Sequence, residues 1–240
     1  QAREKWGGLF FPFWTLFGME LLLSPYLLTN WIATTRGVTV WDPKTVFVLG
    51  DGSFLDHAIP FIDWSILIYV TIFAFYFALP FSAPRNDVAR RELLTAVQFI
   101  VLSSWLAYLV FLLFPAEVDL RSQVKATQAT SAWVTPLYEW FHWLYRPYNA
   151  WPSLHVTQTF LAAIAISKWW KARGLYLRVA TMWILWATLT VSTLTTKQHF
   201  LWDALSGLVL GLGTWWFGFR LALRPQNIFG DQNQPVESQS

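Results

Sequence analysis

Six windows of about 20 mostly apolar residues punctuate this chain, over 9–33, 61–83, 93–115, 153–170, 175–195 and 200–221. A helix of that length crosses the hydrocarbon core of a bilayer. The composition points the same way: of 240 residues, 55% are hydrophobic and only 13% charged, with 17 Trp, 20 Phe and 8 Tyr, far from the balance of a soluble domain. The expected fold is all-α, six transmembrane helices forming one domain over 1–224. A polar tail follows at 225–240, with the composition of a disordered cytoplasmic segment. The fourth window has the shortest apolar run, Val156 to Ile166, and relies on Trp169 and Trp170 as interfacial anchors.

Charge sets the expected orientation. Arg3, Lys5, Arg85, Arg90, Arg91, Lys168, Lys171, Arg173, Arg178, Arg220 and Arg224 fall on one side of six alternating crossings, 11 of the 17 Lys and Arg. Arg36, Lys44, Arg121, Lys125, Arg146 and Lys197 are left for the other. By the positive-inside rule both termini are expected in the cytoplasm. The first window is too long for a signal peptide and lacks a small-residue cleavage site after it. The chain begins with Gln1, so its true start is expected upstream.

The net charge of +3 is too small to imply a nucleic-acid partner. With no Cys, disulfides, thiolate catalysis and Cys-ligated metals are excluded. Between the third and fourth windows, Leu137, Trp140, Phe141 and Leu144 fall at helical spacing within an aromatic-rich loop. They predict a helix lying in the interface, either as an anchoring belt or as a lid that guides substrate.

Two polar stretches sit at the edges of apolar windows, Pro152-Ser153-Leu154-His155 and the run from Ser192 to Asp203. An even number of crossings separates them, which puts both on the non-cytoplasmic face. Pro152 suits a first helical turn and Ser153 or Asn149 a cap, so His155 is expected beside the anion-attracting N-terminus of the fourth helix. His199 and Asp203 are four residues apart and share a helical face. Asp203 can then fix the tautomer of His199 and leave its other nitrogen free to attack. Lys197 either neutralises phosphate charge or snorkels to the interface. Ionisable groups at a membrane are costly, so the cluster calls for a function. His57 and His142, without such company, read as structural. Two histidines and a carboxylate also match part of a metal site, but neither Cys nor a His-x-x-x-His pair supports one.

Pro-Ser-Leu-His, followed some forty residues later by Ser-x6-His-x3-Asp, resembles the second and third motifs of the type 2 phosphatidic acid phosphatase (PAP2) superfamily. Tyr148 to His155 and Thr196-Lys197-Gln198-His199 are most similar to its inositol phosphorylceramide synthase-like branch. The resemblance implies a PAP2/chloroperoxidase-like helical core and a metal-independent, cofactor-free lipid phosphatase or phosphotransferase. It implies His199 as the nucleophile forming a phosphohistidine, Asp203 as its orienter and His155 as the general acid, with Ser153 and neighbouring N–H groups on the phosphoryl oxygens. Two positions depart from the family pattern. Thr193 stands where many members have Arg, and Arg146-Pro147 preserves only the end of the first motif, with Glu139 where its Lys belongs. Lys197, Arg121, Lys125 and Arg146 are the candidates to supply the missing positive charge.

The expected partners are a lipid phosphate or pyrophosphate and the bilayer, in a bacterial inner membrane with a periplasm-facing site or in an endomembrane with a lumenal one. A rival class is a transporter using His and Asp as a proton relay, which predicts polar residues deep in several helices. A lipid-binding protein without catalysis is a third. The concentration of charge at one face favours the enzyme.

Overall fold

The computed structural model describes residues 10–126 and 131–222. The expected tail at 225–240, and Arg3, Lys5 and Arg224, lie outside them. Among the described residues all regular elements are helical, apart from one antiparallel bridge between Val48 and Phe54. The long helices are α1 (Phe10–Arg36), α5 (Asp87–Leu113), α8 (Leu154–Lys171), α9 (Tyr176–Thr195) and α10 (Leu201–Thr214), the last continuing through a π-turn at Trp215–Phe219. Shorter helices lie between them: α2 (Leu55–Ala58), α3 (Ile66–Tyr69), α4 (Ile72–Ser82), α6 (Arg121–Ala126) and α7 (Thr135–Leu144).

Each of the six apolar windows coincides with helix. Three stretches, Asp63–Ser82, Asp87–Leu113 and Tyr176–Thr195, are long and apolar enough to cross a membrane. The second window is not one regular helix: a 3-10 turn at Asp63–Ser65 leads into α3, and α4 begins only at Ile72. Outward faces carry large apolar side chains such as Phe81, Leu177, Leu185 and Val209, all exposed, as lipid-facing surfaces require.

The least apolar of the six windows turns out to be the centre. α8 packs against α4, α5, α9 and α10, and most of its residues are buried. Lipid tails are as apolar as leucine, so such helices associate through close packing and hydrogen bonds rather than through exclusion from water. Ala162, Ala163 and Ala165 let neighbouring backbones approach, and Gly211 of α10 makes room for the Phe160 ring. At one end, buried Glu92 of α5 accepts from Lys168 Nζ at 2.6 Å and Trp169 Nε1 at 2.7 Å. Fully paired in this way, it ties α5 to α8.

At the opposite end the connecting loops meet. Val40 N–H donates to the Pro115 carbonyl, Val118 N–H to Pro147 and Ile62 N–H to Thr195. The helix predicted from Leu137, Trp140, Phe141 and Leu144 appears as α7, its Phe141 and Tyr138 packed with Ile66 and Tyr69.

Candidate active site

α8 begins at Leu154, with Ser153 as its N-cap. Pro152 therefore sits one residue before the cap rather than in the first turn. The Ser153 N–H is already committed, donating to the Asp203 carbonyl at 2.9 Å. Its hydroxyl is buried and has no hydrogen-bond partner. A Cβ at Gly207 would collide with the Ser153 carbonyl, and Thr157 Oγ1 donates to the Gly207 carbonyl at 2.8 Å. The two motifs, some forty residues apart in sequence, are thus joined backbone to backbone. The first turn of α8 carries His155, whose ring stacks on Tyr69 with centroids 4.3 Å apart.

His199 lies on the turn between α9 and α10 rather than on a helix. α9 closes with paired bonds, Lys197 N–H to the Leu194 carbonyl and Gln198 N–H to the Thr193 carbonyl, which is the Schellman ending. Lys197 occupies its left-handed position with φ +59°, where Gly is usual and a side chain costs roughly 1–2 kcal/mol. The Thr193 carbonyl also receives His199 N–H at 3.1 Å. Thr193 therefore contributes its backbone to holding the histidine, while its hydroxyl bonds back to the Thr190 carbonyl.

The rings of His155 and His199 lie 5.4 Å apart between centroids, at 68° to each other. His199 Nδ1 is 3.5 Å from Asp203 Oδ2, close but long for a hydrogen bond. Oδ2 instead accepts the Phe200 N–H at 2.8 Å, capping α10, and Asp203 Oδ1 has no partner. Burial pulls the His199 imidazole down from its ordinary range to about 3, with Arg121 acting in the same direction and a hydrogen bond to the Ala150 backbone opposing. The ring is neutral at physiological pH, the state a nucleophile needs.

Both imidazoles open onto a cavity of about 330 Å³. Its lining includes Leu22 and Tyr26 of α1, Tyr69 of α3, Ile72 and Phe73 of α4, Tyr108 of α5 and Phe141 of α7. A family model for the PAP2 superfamily matches residues 50–217. The chain belongs to the PAP2 superfamily. No curated protein and no solved structure matches it.

Within this PAP2 site the candidate cations separate. Lys197 is 1% exposed, and its Nζ donates to the carbonyls of Asp56, at 2.9 Å, and Ile59. It does not snorkel, and it is not among the residues that line the cavity. Arg146 is exposed, and what the fold uses is its backbone, held on both sides by Asn30. The side chain of Lys125 lies outside the described residues. Arg121, like Lys197, is not among the residues that line the cavity, but its charge acts on His199 as well as on Tyr26 and Tyr69. Its Nη1 donates to the Tyr145 carbonyl at 2.6 Å, and its Nε is buried without a partner. Packing of the preceding Leu120 with Ala150 and Phe200 fixes it there.

Two residues were not legible as part of this site. Tyr69, the platform under His155, reads in sequence as one more aromatic of the second window. Asp56 is 1% exposed, and its Oδ1 accepts the Leu201 N–H at 2.6 Å. Its carboxyl is raised by burial, lowered by the Leu201 bond, raised by Asp203 and lowered by Lys197 and His57. A lone Asp in a polar loop gives no hint that it folds inward. His142, read as structural, reaches Gln198 Nε2 at 3.0 Å, and His57 lies 3.7 Å from Asp119.

Proposed function

We propose that the protein cleaves the phosphate or pyrophosphate ester of a membrane lipid through a phosphohistidine on His199, without a metal. The observation that carries this reading is the pair of imidazoles, His155 and His199, close together in the lining of one mostly apolar cavity. A lipid tail matches the cavity's aromatic and aliphatic walls, and its phosphate would then meet the two rings.

In the first step a ring nitrogen of His199 attacks phosphorus and the bond to the lipid oxygen breaks. His155 gives its proton to the departing alkoxide. In the second step water attacks the phosphohistidine, His155 takes the proton and the P–N bond breaks, returning neutral His199. Asp203 supports the imidazolium that forms when His199 is phosphorylated. Its 3.5 Å separation is of the kind that tightens once the ring becomes charged. Arg121 supplies positive charge to the phosphoryl oxygens, and the unpartnered Ser153 hydroxyl a hydrogen bond.

An alcohol replacing water in the second step gives phosphotransfer from the same intermediate. The resemblance to the inositol phosphorylceramide synthase-like branch favours that variant. In the membrane the reading is of one six-helix domain over 1–224, termini cytoplasmic and the site facing the periplasm of a bacterial inner membrane. The distribution of Lys and Arg supports it.

The test uses purified protein, labelled lipid phosphates and pyrophosphates, EDTA, and parallel reactions with and without alcohol acceptors. Expected are turnover in EDTA, an acid-labile phosphoprotein in the wild type and neither in His199→Ala. Turnover retained by that variant, or a strict need for a divalent metal, sinks the mechanism. Single Cys residues introduced near Lys171 and near Lys125, in a chain that has none of its own, should label from opposite sides.

A further inference from the structure

The nucleophile turn is held from outside by a second segment. Asp56 Oδ1 accepts from Leu201 N–H, and the carbonyls of Asp56 and Ile59 accept from Lys197 Nζ. Ile62 N–H donates to the Thr195 carbonyl at 2.9 Å, and Thr195 Oγ1 to Ser65 Oγ at 2.8 Å. All five bonds run between 55–65 and 195–201. Lys197 lies two residues before His199 and Leu201 two residues after it, so the histidine is fixed on both flanks.

This arrangement accounts for two oddities at once. A lysine occupies a left-handed position that favours glycine, and the side chains of Lys197 and Asp56 are both buried at this contact, each bonded to backbone groups across it. A side chain at position 197 can reach across to the carbonyls of the 55–65 segment, and a glycine cannot. The groups acting on this pair are Asp203 of α10 and His57, next to Asp56. Arg121 acts on the other side of the turn, at His199.

We propose that Lys197 and Asp56 are positioning residues, a latch that seats the His199 turn against the 55–65 segment and so aims the imidazole at phosphorus. The inference rests on the reading of His199 as nucleophile. A catalytic group on a turn lacks the rigidity that a helix gives, and a misplacement of about 1 Å costs on the order of 10²-fold in rate. Lys197 acts here through the backbone and does not touch the substrate.

Lys197→Gly tests this, because glycine suits the turn while abolishing the latch. Lys197→Met keeps the length without the donor, and Asp56→Asn keeps an acceptor for Leu201. Each full-length protein is compared with wild type by hydrogen exchange of the peptide covering 195–203 and by steady-state kinetics on dioctanoyl phosphatidic acid and farnesyl pyrophosphate. Expected for Lys197→Gly and Lys197→Met is faster exchange confined to that peptide, and a kcat lowered roughly 10- to 100-fold with KM within about twofold. Asp56→Asn is expected to retain most of the wild-type protection. Unchanged exchange in both Lys197 variants overturns the latch whatever the activity. A raised KM at unchanged kcat also overturns it, by returning Lys197 to the phosphate. Full turnover by His199→Ala would instead remove the nucleophile reading, and the exchange data would still report on the latch separately.

Discussion

His155 stacks on Tyr69 and meets His199 edge-on, its ring 4.3 Å from the first and 5.4 Å from the second between centroids. His155 is thereby packed on an aromatic face supplied from α3, a segment outside the two motifs. Because it acts on the leaving group, its loss should depend on what leaves. His155→Ala is expected to slow turnover of an alkyl phosphate by about 10²–10⁴-fold, and much less for an aryl phosphate whose phenolate needs no proton. Equal losses on both substrates would remove the general-acid assignment.

Asp203 has two tasks that substitution can separate. Its Oδ2 caps α10 through the Phe200 N–H, which an amide oxygen still does, whereas only the carboxylate supports a charged His199. Asp203→Asn is expected to fold normally and lose activity by up to about 10⁴-fold, as when the orienting acid of a catalytic triad is replaced. Asp203→Ala should in addition lower stability by about 0.5–2 kcal/mol, the cost of a lost cap. Thermal unfolding alongside kinetics distinguishes the two.

If Arg121 binds the phosphoryl group, Arg121→Ala should weaken binding by about 1.5–3 kcal/mol, the worth of hydrogen bonds to a charged group, or roughly 10- to 100-fold. Arg121→Lys should restore only part of it, because an ammonium lacks the planar fork that bonds the Tyr145 carbonyl and phosphate together. Unchanged kinetics in Arg121→Ala would give the arginine a purely structural role.

His199 also predicts a pH dependence of stability. Its folded value of about 3 lies below its ordinary 6.5. As the pH falls through 6.5 the unfolded chain takes up a proton that the folded chain refuses, so stability present above 6.5 is lost progressively toward 3. Denaturant unfolding in detergent should show a midpoint that drops between neutral pH and about pH 5, and His199→Asn should flatten that slope. A wild-type slope no steeper than the variant's would mean that the imidazole is not held neutral.

The apolar windows made the helices legible, because membrane-length apolar runs leave the backbone little choice but to satisfy itself. The spacing of Leu137, Trp140, Phe141 and Leu144 likewise gave α7. The prominence of α8 was not legible: hydropathy ranks it low because Thr157, Gln158, Thr159 and Ser167 interrupt it, yet these are buried against neighbouring helices rather than exposed to lipid. Periodicity reports what faces lipid better than what faces protein.

The sequence by itself singled out the candidate set, His155, His199 and Asp203, since those residue types at those spacings suit the proposed chemistry and carry the family resemblance. Only the tertiary structure decided what surrounds them. It sent Lys197 into two carbonyls, left Arg146 at the surface, bonded Arg121 to the Tyr145 carbonyl and turned Asp56 inward. Motif spacing is local, fixed by the rise and turn of one helix. The fate of a charged side chain depends on which buried carbonyls and N–H groups other segments bring within reach, and that is settled only when the loops meet.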